Sequence, residues 1–268
     1  MVIYLFILGL CLGSFANVLI DRTQKDDSIR GVSKCDFCGY KLRWYDNVPI
    51  LSFLLLKGKC RKCGKELSWQ YPLVEFSTGA VFVLTYLFLF QGKTAWMVDW
   101  IFLVEVGYHL LVVYLLFVIF VWDWKYLIIP DFLVLIGISA TVAFEIYRSF
   151  ETNCFFANLD CPLSGGILGS LAIGGFFGFL YFVSRGRWIG GGDVKIGFWL
   201  GFLVKIKMAY FLILFSYLLG SVFAIFLLLF AKKKMKSQIA FGPFLVLSVY
   251  LIIFGKDAIL KIWNSFLL

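Results

Sequence analysis

Polar residues are sparse along this chain and arrive in clusters, so the apolar stretches between them define its elements. Apolar runs occupy roughly 2–20, 72–91, 98–122, 127–147, 163–184, 192–204, 207–231 and 239–262. At about 1.5 Å per residue, most of these runs cross the ~30 Å of a hydrocarbon layer as helices. They show neither the alternation of a half-buried strand nor the polar face of a surface helix. The pattern predicts an all-α polytopic membrane protein with about eight transmembrane helices. The run at 192–204 is the shortest, and as a re-entrant segment it would move everything after it to the other side of the membrane.

Composition agrees with that reading. The 268 residues are 62% hydrophobic and only 15% charged, a balance with which a soluble domain cannot cover its surface. No Lys or Arg precedes the first run and no small-residue cleavage site follows it, so it reads as a retained helix. The net charge of +9 is a topology signal. The segments 21–71, 123–126, 185–195 and 232–238 hold 19 of the 25 Lys and Arg residues. The excess predicts that these segments face the cytosol and that both termini lie outside. The cations form no nucleic-acid reading motif, so nucleic acid is not an expected partner, whereas the lipid bilayer is. The KKKMK run at 232–236 reads as a topology anchor. No motif speaks to an oligomeric state.

Residues 21–71 form the one sizeable polar segment, and it contains a repeat. "CDFCGYKLRW" from Cys35 and "CRKCGKELSW" from Cys60 both read C-x-x-C-G-x-x-L-x-W. Two such turns present four thiolates, Cys35, Cys38, Cys60 and Cys63, at the spacing of a closed tetrahedral Zn²⁺ site. A piece this small cannot hold itself together by core alone, so one structural zinc is its expected staple. Two disulfides are the alternative, disfavoured on the reducing side of the membrane. Cys11 reads as a packing residue of the first helix. At Cys154 and Cys161, expected outside, a disulfide and two free thiols are both open.

Ionisable groups within apolar runs are costly and therefore candidates for chemistry. Asp99 and Glu145 are expected near the outer boundary. Asp123, in "VWDWKYLIIPD", and Asp193, in "RWIGGGDVKIG", fall at the inner ends of two spans, at one membrane level. Paired carboxylates cannot both ionise cheaply, so the pair holds a proton; one member takes a proton from water and the other polarises a carbonyl. Gly190, Gly191 and Gly192 would let a peptide backbone approach Asp193 and permit unusual dihedrals. Taken singly, Asp193 also reads as a helix cap and Asp123 as an interfacial charge. The single histidine, His109, leaves no serine triad available.

These segments resemble the bacterial prepilin peptidases, membrane leader peptidases of the G-x-G-D aspartyl group that process type IV prepilins and methylate the new N-terminus. "GGGDVKIG" resembles the family's G-x-G-D segment and "DWKYLIIPD" its D-x6-P-D segment. "GSFANVLIDR" at 13–22, "DNVPILSFLLLKGKCRKCG" at 46–64, "YPLVEFSTG" at 71–79 and "FGPF" at 241–244 resemble others. Two departures are visible: Thr23 and Gln24 follow Arg22 where a proline is common, and the first knuckle reads C-D-F-C. The resemblance implies that Asp123 and Asp193 are the catalytic pair. It implies that Gly13, Ser14, Asn17, Arg22 and Glu75 serve methyl transfer from S-adenosylmethionine, for which no glycine-rich binding motif is visible. Gly13-Ser14 also reads as close helix packing. Glu75 is an acid suited to an amine or a sulfonium.

The implied organisation is a first helix at 1–20, a cytosolic zinc-binding loop associated with methyl transfer at 21–71, and membrane helices at 72–268, of which about 98–268 form the peptidase domain. The implied substrates are prepilins or pseudopilins with a basic leader, cut on the cytosolic side of a bacterial inner membrane. A peptidase without methylation, and a transporter or assembly scaffold with proton-carrying acids, are the rivals. No repeat relating membrane halves favours a transporter.

Overall fold

The computed structural model describes residues 1–24, 28, 31–90, 100–156, 158–230 and 240–267. Lys93, Asp99 and the KKKMK run lie outside the described residues. The described chain is helical and contains no strand, only two isolated bridges, Lys34 with Lys41 and Lys59 with Glu66. The helices are α1 (Val2–Gln24), a short α2 (Leu51–Leu55), α3 (Gln70–Phe90), α4 (Trp100–Tyr126), α5 (Asp131–Thr152), α6 (Pro162–Ser184), α7 (Gly191–Phe230) and α8 (Gly242–Leu267). Six of them, α1 and α3 to α7, are long and apolar enough to cross a membrane.

The expected sixth and seventh spans are one 40-residue helix, α7, whose backbone breaks at Lys205 (φ 64°, ψ 167°). Counting its halves and α8, eight helical segments occupy the eight expected positions. The first half, 191–204, is only about 21 Å long at ~1.5 Å per residue, short of the hydrocarbon thickness. Local signals set the other boundaries. Pro130 precedes α5, and Asp131 sits in its first turn, where the helix dipole favours an anion. Asn153 ends α5 in the left-handed region; α6 opens on Pro162 and ends on left-handed Arg185.

The chain divides into two compact units, Met1–Val106 and Gly107–Leu268. In the first, α1 packs along α3 at very short range. A Cβ on Gly9 would stand 2.6 Å from Gly79 Cα, and one on Gly13 would stand 2.7 Å from Glu75 Cα. In the second, α7 is the centre, packed on α6, α8 and α5. Gly169 and Gly201 bring α6 and α7 together so tightly that a Cβ on either would overlap the other's carbonyl oxygen. This small-residue packing is what holds helices together where lipid removes the hydrophobic drive. Trp199, fully buried, donates to Thr141 Oγ1 at 2.9 Å, and Tyr250 donates to the Val113 carbonyl at 2.7 Å. Glu145 is buried and pairs with Lys205 at 2.8 Å, so this acid is an internal partner of the α7 break.

Candidate active sites in the two units

The four cysteines of the repeat converge. Their sulfurs all lie within 4.8 Å of one another, with Cys35 to Cys63 at 3.9 Å and Cys38 to Cys60 at 4.0 Å. A tetrahedral shell with ~2.3 Å metal–sulfur bonds has sulfurs about 3.8 Å apart, so the group is sized to hold a metal ion. The repeat in sequence is a repeat in backbone. Cys35 N–H donates to Tyr40 O and Gly39 N–H to Cys35 O; Cys60 N–H donates to Lys65 O and Gly64 N–H to Cys60 O. Gly39 and Gly64 take φ of 67° and 68°, the left-handed turn each knuckle requires. The backbone amides of Cys63 and Lys62 draw the Cys60 thiol down to about 6, whereas at Cys38 the lowering by the Tyr40 backbone is outweighed by burial and the sulfurs of Cys35, Cys63 and Cys60, which push it up to about 11, so the four thiols share protons as one group.

Beside this cluster is a cavity of about 1010 Å³, lined by Ser14, Asn17, Asp21, Arg22, Asp46 and Glu75 among others. Glu75 is buried and accepts the Ile50 N–H at 2.7 Å and a hydrogen bond from Ser14. Asn17 donates to the Tyr71 carbonyl and accepts from Gln70; the Tyr71 hydroxyl donates to Asp21. Arg22 donates to the carbonyls of Ser28 and Gly31. Gly13 is not a lining residue: it is the close-packing point that sets α1 against Glu75. Cys11 is exposed and lines the cavity, so it is not a packing residue as its place in an apolar run suggests.

In the other unit, helix ends gather around Asp123 and Asp193. Asp123 is buried near the end of α4, and the Gly242 N–H at the start of α8 donates to it. A Cβ on Gly242 would stand 2.5 Å from Asp123 Oδ2 and 3.2 Å from Ile129 Cδ1. Ile129 also faces Gly192, where a Cβ would meet it at 3.2 Å. One side chain in the α4–α5 link thus touches both aspartate neighbourhoods, and the two carboxylates lie within electrostatic reach of each other. Asp193 occupies the first turn of α7, and its Oδ2 accepts the Gly190 N–H at 3.2 Å. That is a capping contact, and it engages one carboxylate oxygen only. On the exposed side Lys195 pairs with Asp131 through both carboxylate oxygens, at 2.7 and 2.8 Å.

None of Gly190, Gly191 and Gly192 takes a positive φ, so unusual dihedrals are not their role. Their difference lies in room: a Cβ on Gly191 meets only Tyr181 at 3.9 Å, on Gly190 it meets Asp193 Oδ2 at 3.4 Å, and on Gly192 it presses Ile129. Cys154 and Cys161 are joined by a disulfide, Cα to Cα 5.2 Å. Sequence reasoning missed Ile50, whose amide reaches Glu75 from a left-handed backbone (φ 58°), and Asp46, buried and held by Arg61 Nε at 2.7 Å. It named FGPF as a segment but not Gly242 as the residue on Asp123.

A bundle of membrane-length helices with a polar site in each unit and a four-cysteine loop defines an integral membrane protein with paired acids at its helix ends. Residues 7–89 match the bacterial peptidase A24 N-terminal domain, and residues 110–225 match the type IV leader peptidase family. The chain is 31% identical to a prepilin leader peptidase/N-methyltransferase of Vibrio cholerae, over 93% of this chain and 94% of that protein. It is 27% identical to a protein of the same name from Pseudomonas aeruginosa, over 97% and 92%. A relative of that name from Myxococcus xanthus shares 53% over a segment that is 30% of this chain and 24% of that protein. The chain belongs to the type IV leader peptidase family. No solved structure matches it at a significant level.

Proposed function

We propose that this chain is a bifunctional prepilin leader peptidase and N-methyltransferase of a bacterial inner membrane. Its substrates are prepilins or pseudopilins with a basic leader. It cuts the leader on the cytosolic side and methylates the new N-terminal residue. Full-length likeness to relatives bearing that name supports this reading, and neither rival has such support. The observation that carries the peptidase half is the gathering of Asp123, Asp193 and the Gly242 N–H at neighbouring helix ends.

Asp123 and Asp193 act as the catalytic pair. A water between them attacks the scissile carbonyl carbon. One carboxylate takes the water's proton while the other, protonated, gives its own to the developing oxyanion. Collapse then breaks the C–N bond, and the amine leaves with the proton just taken. The Gly242 N–H fixes Asp123, and the Gly190 N–H fixes one oxygen of Asp193, leaving the other for water. Substrate binds along the glycine-rich entry to α7.

The methyl-transfer half belongs to the unit Met1–Val106. Its cavity suits S-adenosylmethionine in size and in chemistry, since Glu75 and Asp21 complement a sulfonium or an ammonium. Ser14, Asn17, Arg22 and Glu75 would hold that donor, which supplies an electrophilic methyl group when bound. Glu75 itself orients the incoming amine and accepts its proton. Cys35, Cys38, Cys60 and Cys63 hold one structural Zn²⁺ that keeps the loop 21–71 in shape. The excess of cations in that loop supports its placement in the cytosol, with both termini outside. The peptidase domain is about 98–268.

The test is incubation of the purified protein with a prepilin and S-adenosylmethionine. The expected product is the leaderless pilin, shortened on a gel, with its N-terminal mass raised by one methyl group. A full-length pilin after incubation with well-folded protein refutes the peptidase; a shortened but unmethylated pilin refutes the methyltransferase alone.

A further inference from the structure

The short helix α2 exposes the side chains that a water-bathed loop would bury. Phe53 is buried beneath it, yet Leu51, Leu54 and Leu55 are exposed by 56%, 60% and 75%. These residues lie outside every membrane-length helix, so lipid tails around the spans do not account for them. Two contacts fix the height of α2. The Ile50 N–H bonds to Glu75, on the second turn of α3, and the Phe53 ring meets the Trp69 ring edge-on at 5.1 Å. Trp69 is the residue just before α3, and it is itself 68% exposed.

The exposed face of α3 continues the same surface. Trp69, Leu73 and Phe76 are exposed at helical spacing, while Val74, Glu75 and Thr78 are buried towards α1. That stripe, turned away from α1 on a membrane-length helix, is the lipid-facing side of α3. Through Trp69, whose ring meets Phe53, it leads to α2. Phe53, Leu54, Leu67 and Trp69 line a groove of about 390 Å³ there together with Lys57, Gly58 and Glu66, so its apolar wall carries one cation and one anion. Lys57 and Lys59 are both exposed.

We propose that α2 lies in the headgroup layer of the bilayer, with its leucine face inserted as a continuation of the lipid-facing stripe of α3. Lys57 and Lys59 then stand among the lipid phosphates, and Trp69 sits at the interface where its amphipathic ring is favoured. The loop that carries the four cysteines therefore rests on the membrane and is not suspended in water. Three adjacent exposed leucines need such a cover, and the bilayer is the apolar phase with which this surface is continuous.

The test uses the full chain in nanodiscs of phosphatidylcholine, with and without phosphatidylglycerol. A photoreactive phenylalanine analogue replaces Leu54 in one variant and Leu55 in another, and the metal content of each reports an intact loop. Lipid adducts are expected from both positions. Lys57→Glu, added to either variant, is expected to lower phosphatidylglycerol adducts several-fold and leave phosphatidylcholine adducts unchanged. Adducts only with a second copy of the chain, or no adduct at either position in metal-replete protein, would overturn the proposal. Unchanged phosphatidylglycerol adducts in Lys57→Glu would remove the lysine from it.

Discussion

The unit Met1–Val106 and the unit Gly107–Leu268 both carry buried acids, but they hold them differently. In the first, Glu75 is held by a loop: its partners are the Ile50 amide and Ser14, and the loop's own frame is the four-cysteine group. In the second, the acids are held by helix ends packed through glycines. A loop-held site depends on whatever orders the loop, here a metal-sized shell of thiolates. A helix-held site depends on close approach, so it is sensitive to single methyl groups and indifferent to metal. The difference predicts which perturbation reaches which activity.

The largest effect belongs to the helix-held acids. Asp193→Asn and Asp123→Asn are each expected to lower leader cleavage by ~10²–10⁴ or more, since the amide neither takes nor gives a proton. The double variant is expected to be no worse than either single one. A helix cap alone would survive, because Asn caps about as well as Asp. Cleavage within a few-fold of wild type in folded Asp193→Asn, measured by gel shift, would reduce this residue to the cap that its contact with Gly190 already makes it. Methylation of a pre-cleaved pilin is expected to persist in all three.

Next comes the metal. Cys35→Ser is expected to take bound zinc from about one per chain to none, because three thiolates no longer close the shell. The loop should then be cut by protease, and methylation should fall further than cleavage. Metal analysis and limited proteolysis read the first two directly. Metal-free wild-type protein with full methylation would erase the contrast between a loop-held and a helix-held site.

Glu75→Gln sharpens the same contrast without touching the metal. A hydrogen bond to a charged group is worth ~1.5–3 kcal/mol, so methylation is expected to fall roughly 10- to 100-fold with cleavage unchanged. Equal loss of both activities, by product mass and gel shift, would mean that Glu75 serves structure alone.

How much of this was legible in the sequence depended on the kind of contact. The apolar runs and the repeated C-x-x-C turns are local signals: helices occupy the predicted positions, the sixth and seventh joined as α7, and the four cysteines converge as the spacing predicts. The boundary at Lys205 was visible as the gap between the runs 192–204 and 207–231, but its form was not: nothing in "FLVKIKMAY" demands a left-handed residue inside one continuous helix, and the partner Glu145 lies on another helix. Ile50 was hidden for the same reason, since a β-branched residue at φ 58° contradicts its own preference and is held from outside. Gly242 is far from Asp123 in sequence, so only the packing of α8 makes it a donor. Composition identified cavity residues as polar groups near a membrane but could not assemble Ser14, Asn17 and Glu75 around one space.

The smallest effects discriminate between two uses of the three glycines before Asp193. If they serve packing, the order of harm follows the room that each leaves. Gly191→Ala should be neutral, because its Cβ would meet only Tyr181 at 3.9 Å. Gly190→Ala should be mild, with its Cβ 3.4 Å from Asp193 Oδ2 at ordinary contact. Gly192→Ala should cost a few-fold in cleavage, because Ile129 must yield at 3.2 Å and Ile129 also abuts Gly242, the donor to Asp123. Overpacking by a methyl group typically costs ~1–3 kcal/mol, and a valine there should do more. If instead the glycines make room for the substrate's backbone, the exposed Gly191 should be as harmful to fill as Gly192, although the free protein has space for it. Steady-state cleavage separates the two, since a substrate clash at Gly191 raises KM, whereas a shifted Ile129 lowers kcat by moving the acids.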